Sequence, residues 1–181
     1  MTKAARAAPP ETGSAFDPAV VELVELFFFA YRDFVKDADR LLETYQFGRA
    51  HHRVLHFVAR RPGITIAALL DILKITKQSL ARVLKDLVDA GFVETRAGPQ
   101  DRRQRLLFPT AMGAALAQQL IRLQSQRFER VIADLGEPAR GAAAQFLFAM
   151  IEEADRDRVL AHLAGAAQLP GQRPARVEAA R

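Results

Sequence analysis

The stretch from Gly63 to Pro109 decides the fold, and it reads GITIAALLDILKITKQSLARVLKDLVDAGFVETRAGPQDRRQRLLFP. Its first part predicts a short helix capped by Thr65, because a threonine hydroxyl can accept hydrogen bonds from backbone N–H groups of the first turn. Only Lys74-Ile75 separates this helix from a second one, which is predicted to begin at Thr76 or Lys77. Two helices joined by so short a turn are typical of a helix-turn-helix.

The second helix has one apolar face and one polar face. Its apolar residues recur at i, i+3, i+4, i+7 and i+8, which predicts a single buried stripe. The stripe consists of Leu80, Val83, Leu84, Leu87 and Val88. Gly91 follows the last of them, where a helix commonly ends on a left-handed glycine.

The polar face of the second helix is predicted to read DNA. Lys77, Gln78 and Arg82 lie in its N-terminal half, the end that enters the major groove in this motif. Arginine and glutamine carry fork-shaped hydrogen-bonding groups that match guanine and adenine edges respectively. The predicted DNA-contacting residues of this helix are Thr76, Lys77, Gln78, Ser79, Arg82 and Lys85.

After Gly91 the pattern changes from helical to extended. Residues 92–96 and 105–108 predict two strands joined by a turn that contains Gly98 and Pro99. A hairpin with so much positive charge beside its tip suits the phosphate backbone or a narrow minor groove, as the wing of a winged helix does. The wing residues predicted to contact DNA are Arg96, Asp101, Arg102, Arg103 and Arg105.

Several short motifs between residues 51 and 113 occur in the order found in one family of regulators. They are His51-His52-Arg53-Val54-Leu55, Leu69-Leu70, Lys77-Gln78-Ser79-Leu80-Ala81-Arg82, Gly91-Phe92-Val93, Asp101-Arg102-Arg103 and Phe108-Pro109-Thr110-Ala111-Met112-Gly113. Through them the chain, from about residue 20 to 160, resembles MarR-family transcriptional regulators. The resemblance implies that the arginine of the Asp-x-Arg wing pattern, Arg103, reaches a DNA groove and that Asp101 helps to orient it.

Composition and charge fit this interpretation. From Arg49 to Arg105 there are twelve Lys and Arg against five Asp and Glu, whereas residues 18–45 carry three against six. This separation of charge indicates a polyanionic partner, double-stranded DNA, for the central part of the chain. With no cysteine, no apolar run of the ~20 residues that cross a bilayer and no signal-peptide core, we expect a cytoplasmic protein without a membrane partner.

Long amphipathic helices are predicted on both sides of the winged helix-turn-helix. One runs from Pro18, behind the N-cap Asp17, to about Tyr45, and the next from about Arg49 to Arg60. After the wing, Thr110 is predicted to cap a helix to about Leu135, and a final helix is predicted to run from residue 138 to about 163. The residues expected to be buried on the final helix are Ala143, Phe146, Leu147, Met150 and Ile151.

The predicted fold is mainly α with a small β-hairpin wing. We divide the chain into a disordered arm (1–16), a dimerisation helix (17–47), the winged helix-turn-helix DNA-binding domain (48–109), dimerisation helices (110–164) and a disordered tail (165–181). The flanking helices are too long to bury their apolar faces on a small winged helix, so they most simply pair with a second copy. The resemblance implies the same homodimer.

Two histidines raise a separate question. His52 and His56 are four residues apart on one helical face, a spacing that can supply two metal ligands. No acidic residue lies nearby in sequence to complete a metal shell, so we predict no metal and treat the pair as packing residues. A metal-responsive regulator that uses this pair remains an alternative.

The predicted function is a homodimeric, sequence-specific DNA-binding regulator of transcription, a repressor by resemblance, that reads a pseudo-palindromic operator. The resemblance also implies a small aromatic effector between the dimer helices and the reading domain, where His52 and Arg53 are the candidate contacts. No cofactor is predicted, and catalysis is unsupported because no phosphate loop, GxGxxG, GxSxG or cysteine nucleophile is present. The other alternative is a winged helix that binds protein instead of DNA.

Overall fold

The computed structural model describes residues 16–165. The predicted disordered arm and tail lie outside these residues, apart from Phe16 and Gly165. The helices are α1 (Pro18–Glu43), α2 (Arg49–Arg60), α3 (Ile66–Leu73), α4 (Lys77–Asp89), α5 (Ala111–Leu135), α6 (Pro138–Ala149) and α7 (Glu153–Ala164), and the strands are β1 (Ile64–Thr65), β2 (Val93–Ala97) and β3 (Arg105–Pro109). This architecture is mainly α with one small sheet, as the sequence predicts.

Side-chain caps start four of the helices, three of them (Asp17, Thr65 and Thr110) as predicted, whereas Thr76 was predicted only as a possible first residue of its helix. In each case an oxygen of the cap accepts a hydrogen bond from a backbone N–H of the first turn, at 2.9–3.1 Å. The caps are Asp17 on α1, Thr65 on α3, Thr76 on α4 and Thr110 on α5. Gly91 ends α4 with a φ of +75°, which confirms the predicted left-handed glycine.

The sheet is antiparallel with the strand order β1-β3-β2. β2 and β3 form the predicted hairpin, in a register that places Thr95 opposite Leu107. β1 was not predicted, because two residues are too short to show an alternating pattern; it pairs Ile64 with Leu107 and ties the start of α3 to the wing.

One apolar core joins α2, α3, α4 and the sheet with the C-terminal part of α1 and the N-terminal half of α5. Leu55, Leu69, Leu87 and Leu107 are at most 1% exposed within it. Four residues of the predicted stripe on α4 are buried, but the fifth, Val88, is 37% exposed. At 100° per residue Val88 lies about 80° around the helix axis from Leu80, at the edge of the buried face, so no element covers it.

The flanking helices, α1, α5, α6 and α7, leave much apolar surface uncovered. The N-terminal half of α5 is buried at Leu116 and Leu120, whereas Phe128 and Leu135 in its second half are exposed. Along α1 the exposed apolar side chains are Val20, Val21, Leu23, Val24, Leu26, Phe27, Phe28, Phe29 and Tyr31. No helix between residues 16 and 165 is apolar over a length that could cross a membrane.

The single long helix predicted after residue 138 is wrong. The chain forms α6 and α7 with a break at Glu152, whose ψ of 132° is extended. Arg156 stabilises the break by donating hydrogen bonds to the carbonyl oxygens of Ala149 (2.8 Å) and Ile151 (3.0 Å). The predicted burial of this segment is also wrong for the single chain: Ala143, Phe146, Leu147 and Met150 are exposed and Ile151 is half-buried, because no other layer covers α6.

Candidate nucleic-acid interface

α4 presents its polar face to solvent because its apolar face is anchored in the core. Leu80 and Leu87 are buried, and the residues on the opposite side are exposed. The exposed set contains every predicted DNA-contacting residue of this helix, namely Thr76, Lys77, Gln78, Ser79, Arg82 and Lys85. Neither Gln78 nor Arg82 has a hydrogen-bond or ion-pair partner within residues 16–165, so both forks are available to an external ligand.

Not all polar residues of α4 are equally available. Thr76 already accepts from the Ser79 backbone and donates its own hydroxyl hydrogen to Ser79 Oγ at 2.9 Å. Ser79 therefore retains a hydroxyl hydrogen to donate, whereas Thr76 is committed to capping. Lys85 is paired with Asp89 one turn later, and the hydrogen bond to Asp89 raises the pKa of Lys85. This pairing offsets part of the attraction of Lys85 for phosphate.

The tip of the wing is a tight, internally bonded turn. Asp101 Oδ1 accepts from the backbone N–H of Arg103 at 2.9 Å, and Gln104 N–H donates to the Asp101 carbonyl at 3.0 Å. Gly98 lies so close that a Cβ there would be 2.8 Å from the Asp101 carbonyl oxygen. Asp101 therefore acts on the backbone of the turn, and it can orient Arg103 only by fixing where its side chain begins.

The arginines of the wing fall into two groups. Arg96 forms an ion pair with Glu94 and lies over the ring of Phe108, with 4.3 Å between its guanidinium carbon and the ring centroid. These contacts hold it along the strand. Arg102, Arg103 and Arg105 are exposed, and their guanidinium groups have no partner in the part of the chain that the structure describes. The second group is the available positive charge of the wing.

The structure reveals a role for His51 that sequence reasoning missed. Its Nδ1 accepts from the Gly48 backbone N–H at 3.1 Å, so its Nε2 carries the hydrogen and donates to Asp86 of α4, also at 3.1 Å. The ring is stacked on Phe47, with centroids 4.8 Å apart. His51 thus caps α2 and ties it to α4. The only signal of this role in the sequence is that His51 lies three residues after Gly48, the spacing of a capping box.

Arg53 holds the turn between the two helices of the motif. Its Nη2 donates to the carbonyl oxygen of Leu73, the last residue of α3, at 3.1 Å. Lys74 follows in the left-handed conformation, with a φ of +51°, which reverses the chain before α4. Arg53, predicted as an effector contact, is therefore already engaged in stabilising the helix-turn-helix.

His52 and Arg53 line a cavity of about 370 Å³ between α1, α2 and α5. Tyr31, Phe34 and Phe57 supply its aromatic walls, and Arg49 adds a second guanidinium. A larger cavity of about 550 Å³ lies between α2, α3, α5 and α7, and His56 borders both. The predicted effector contacts thus lie together at the boundary between the winged helix-turn-helix and the flanking helices.

The histidine pair is held neutral by its surroundings. Burial lowers the pKa of His56 to about 4, helped by repulsion from His52, Arg60 and His162. Burial also lowers the pKa of His52. The two rings meet edge to face, with centroids 6.5 Å apart. Within residues 16–165 no group of three or more histidine or carboxylate side chains is placed to hold a metal ion.

Comparisons with known proteins agree with this geometry. The sequence model of the MarR family matches residues 45–104. A curated relative, the HTH-type transcriptional regulator PetP of Rhodobacter capsulatus, is 44% identical over 133 residues, which cover 74% of this chain and 80% of the relative.

Solved structures share the fold. Streptococcus pneumoniae FabT in complex with DNA superposes with a TM-score of 0.64 at 16% identity, covering 80% of this chain and 99% of that one. A mutant MarR from E. coli complexed with operator DNA superposes with a TM-score of 0.54 at 24% identity, covering 74% and 96%. With the winged helix-turn-helix described above, these findings show that the chain belongs to the MarR family of DNA-binding transcriptional regulators and is not an enzyme.

Proposed function

We propose that the protein is a homodimeric, cytoplasmic repressor that reads a pseudo-palindromic operator. The observation that carries the proposal is the exposed, unpaired Gln78 and Arg82 on α4 beside the unpaired arginines of the wing. Gln78, Ser79 and Arg82 contact base edges, whereas Lys77, Lys85 and the wing contact phosphates or a groove. FabT and MarR, whose folds this chain shares, are recorded with DNA, which supports the assignment.

Two substitutions separate base reading from general attraction. Arg82→Ala lowers the ratio of operator to random-DNA affinity, because a bidentate base contact is worth about 1–3 kcal/mol of discrimination. Arg103→Ala weakens both kinds of DNA and reduces the slope of log K against log salt by about one. Fluorescence anisotropy across a salt series measures both effects.

The matched control is Arg130→Ala, which removes one positive charge from an exposed position on α5, remote in sequence from both reading elements. It should leave the specificity ratio unchanged. If Arg82→Ala and Arg103→Ala behaved like this control, the winged helix would not read DNA through these residues, and the protein-binding alternative would gain support.

The dimer proposal rests on the uncovered apolar surface of the flanking helices. α1 and α6 border an open apolar groove of about 490 Å³ lined by Val20, Leu23, Phe27, Phe146 and Met150, among others. Exposed apolar patches of this extent usually mark an interface in a folded protein. A second copy would cover the groove and place two α4 helices on half-sites about one DNA turn apart.

Light scattering on the purified protein tests the dimer, which is expected to have about twice the chain mass of 20.1 kDa. Phe27→Glu introduces a charge into the groove and should shift the mass toward the monomer. Glu22→Gln, at an exposed site on the same helix, is the control that should leave the mass unchanged. A monomer at micromolar concentration in the unmodified protein would contradict the proposal.

We further propose that a small aromatic acid occupies the cavity beside His52 and releases the protein from DNA. The aromatic walls suit an aromatic ring, and the guanidinium of Arg49 at the edge, which is paired with Asp39 at 2.9 Å, would exchange that partner for the carboxylate of the ligand. Binding would bias the arrangement of the two α4 helices, so that release follows from a population shift. A thermal-shift screen of benzoate and hydroxybenzoates, repeated with Arg49→Gln, tests this. Hits that persist in Arg49→Gln, or that leave operator binding intact, would contradict it.

A further inference from the structure

The N-terminal half of α7 is attached to the helix-turn-helix by a ring of four charged side chains. Lys74 Nζ lies 3.2 Å from Asp155 and 3.3 Å from Asp71, while Arg158 Nη1 lies 2.6 Å from Asp71 and 3.1 Å from Asp155. The signs alternate around the ring, so each member has two neighbours of opposite charge. Two of the four pairs are local: Asp71 with Lys74 at the end of α3, and Asp155 with Arg158 within α7. The other two pairs connect α7 to α3 and to its C-cap Lys74.

A second set of contacts fixes α7 against α2. Arg61 Nη2 donates to the carbonyl oxygen of Ala161 at 3.0 Å, in the last turn of α7, and the same carbonyl also accepts from the backbone N–H of Gly165 at 3.1 Å. The ring of His162 meets that of Phe57 edge to face, with centroids 5.1 Å apart. Since α2 and α3 hold α7 from two directions, its position relative to the winged helix-turn-helix is determined.

The ring of charges includes Lys74, which lies in the turn between α3 and α4 and so helps to set the orientation of α4. Lys74 is the left-handed residue between the helices, and α4 begins three residues later at Lys77. Arg53 of α2 holds the carbonyl of Leu73 from one element, and Asp155 of α7 holds the side chain of Lys74 from another. The turn is therefore connected by polar contacts to two different helices.

We propose that Asp155 and Arg158 are positioning residues for DNA recognition. They keep α4 at the angle needed for operator binding by holding the helix-turn-helix turn, although both lie in a segment whose predicted role was dimerisation alone. When the ring is broken, the turn samples more orientations, and a smaller fraction of the protein holds α4 at the angle that binds the operator. The apparent affinity for the operator falls in proportion to that fraction. The four side chains are about one-third to one-half exposed, so the loss should be moderate, about three- to tenfold.

The sign of the effect separates positioning from plain electrostatics. Asp155→Asn removes a negative charge and Arg158→Gln removes a positive one. If the ring only contributed to the field felt by DNA, the first substitution would strengthen binding and the second would weaken it. Positioning instead requires both substitutions to weaken operator binding. Asp157→Asn is the matched control, because Asp157 is exposed on the same helix and has no ion pair within the described residues.

A double-mutant cycle identifies the partner. Asp71→Asn and Arg158→Gln remove the two ends of one cross-helix pair, so the combined variant should lose clearly less affinity than the product of the two single losses. Strict additivity would show that Arg158 acts without Asp71. Operator anisotropy at low salt, where exposed ion pairs are least screened, is the measurement.

A distance measurement reports the position of α4 directly, and it rests on the proposed dimer. Because the chain contains no cysteine, Ala90→Cys places a single spin label at the exposed C-cap of α4. Pulsed dipolar spectroscopy then gives the distribution of distances between the two α4 helices, which should broaden in Asp155→Asn and Arg158→Gln and stay unchanged in Asp157→Asn.

An unchanged distribution in both ring variants, or opposite shifts in operator affinity, would overturn the inference. A complete absence of dipolar signal in the labelled parent would instead overturn the dimer, and the comparison of operator affinities would still decide the role of the ring.

Discussion

The winged helix-turn-helix and the flanking helices are both rich in apolar residues, but they differ in how many of these residues they bury. Leu69, Leu87 and Leu107 are inaccessible in the former, whereas Phe28 and Phe146 on α1 and α6 are 65% and 54% exposed. The first region buries its hydrophobic residues in a core to which Leu42 of α1 and Leu120 of α5 also contribute, whereas the rest of the flanking helices leaves many such residues exposed. The core that supports the DNA-binding helix is therefore complete within one chain, while the flanking helices leave apolar faces uncovered.

Gly113→Ala gives the largest expected effect, at the junction of the two regions. A Cβ there would lie 1.9 Å from the carbonyl oxygen of Phe92, a backbone atom that cannot move aside without displacing β2. We expect the free energy of unfolding to fall by more than about 3 kcal/mol. Urea unfolding followed by circular dichroism measures it.

Gly141→Ala is the control for this experiment, since a Cβ at Gly141 of α6 meets nothing within 4 Å. It should stabilise the helix by about 0.5–1 kcal/mol. Similar losses in both variants would show that the junction is no more tightly packed than the flank.

A matched pair of leucine truncations tests the comparison itself. Leu87→Ala, at a side chain with no exposed surface, should cost about 2–3 kcal/mol at every protein concentration. Leu26→Ala, at a side chain 54% exposed in the groove beside α6, should weaken the proposed dimer and leave the secondary structure of the chain intact. Unfolding curves at two protein concentrations, with light scattering, separate these outcomes. Loss of secondary structure in Leu26→Ala would contradict the division into two regions.

Acid should destabilise the boundary between the regions, where His56 is buried. Its pKa is lowered from 6.5 to about 4 in the folded protein, so the unfolded chain binds more protons between these values. Stability is therefore present above the unfolded pKa and is lost as the pH falls from about 6.5 toward 4, by roughly 2 kcal/mol at pH 5. Urea unfolding at pH 7 and pH 5 measures the loss. His56→Gln should show a correspondingly smaller pH dependence, and an unchanged one would contradict the assignment.

The smallest predicted effect concerns His51 within the winged helix-turn-helix. His51→Phe keeps the stacking on Phe47 but removes the contacts to Gly48 and Asp86. We expect about 1 kcal/mol of destabilisation, together with weaker operator binding because α4 is less firmly held to α2. Asp86→Asn keeps an acceptor for His51 Nε2–H and should have less effect. Stronger operator binding in Asp86→Asn would instead point to charge repulsion from DNA as the dominant role of Asp86.

Local patterns predicted most of the reading elements, because their determinants are close in sequence. The caps Thr65 and Thr110 and the left-handed Gly91 all act within a few residues of their own positions. The contacts that hold α4 in place join residues far apart, such as His51 with Asp86, and no periodic pattern reports them.

The failures on the flanking helices have the same origin. The break between α6 and α7 contains no glycine or proline and depends on Arg156 reaching back to Ala149. Burial of Phe146 and Met150 was inferred from a helical period, but a period only identifies a face and does not say what covers it. In the wing, the spacing of arginines could not show that Arg96 is paired while Arg103 is free to bind.

The absence of a side chain at Gly113 has a mechanical consequence. It allows α5 to start in direct contact with the backbone of Phe92, and Thr110 Oγ1 adds a 2.7 Å hydrogen bond to the carbonyl of Gly91. The base of the hairpin and the first turn of α5 are consequently packed as one rigid unit. The 25 residues of α5 extend about 37 Å from this unit at 1.5 Å per residue. A tilt of α5 by a few degrees would therefore rotate the hairpin by the same angle.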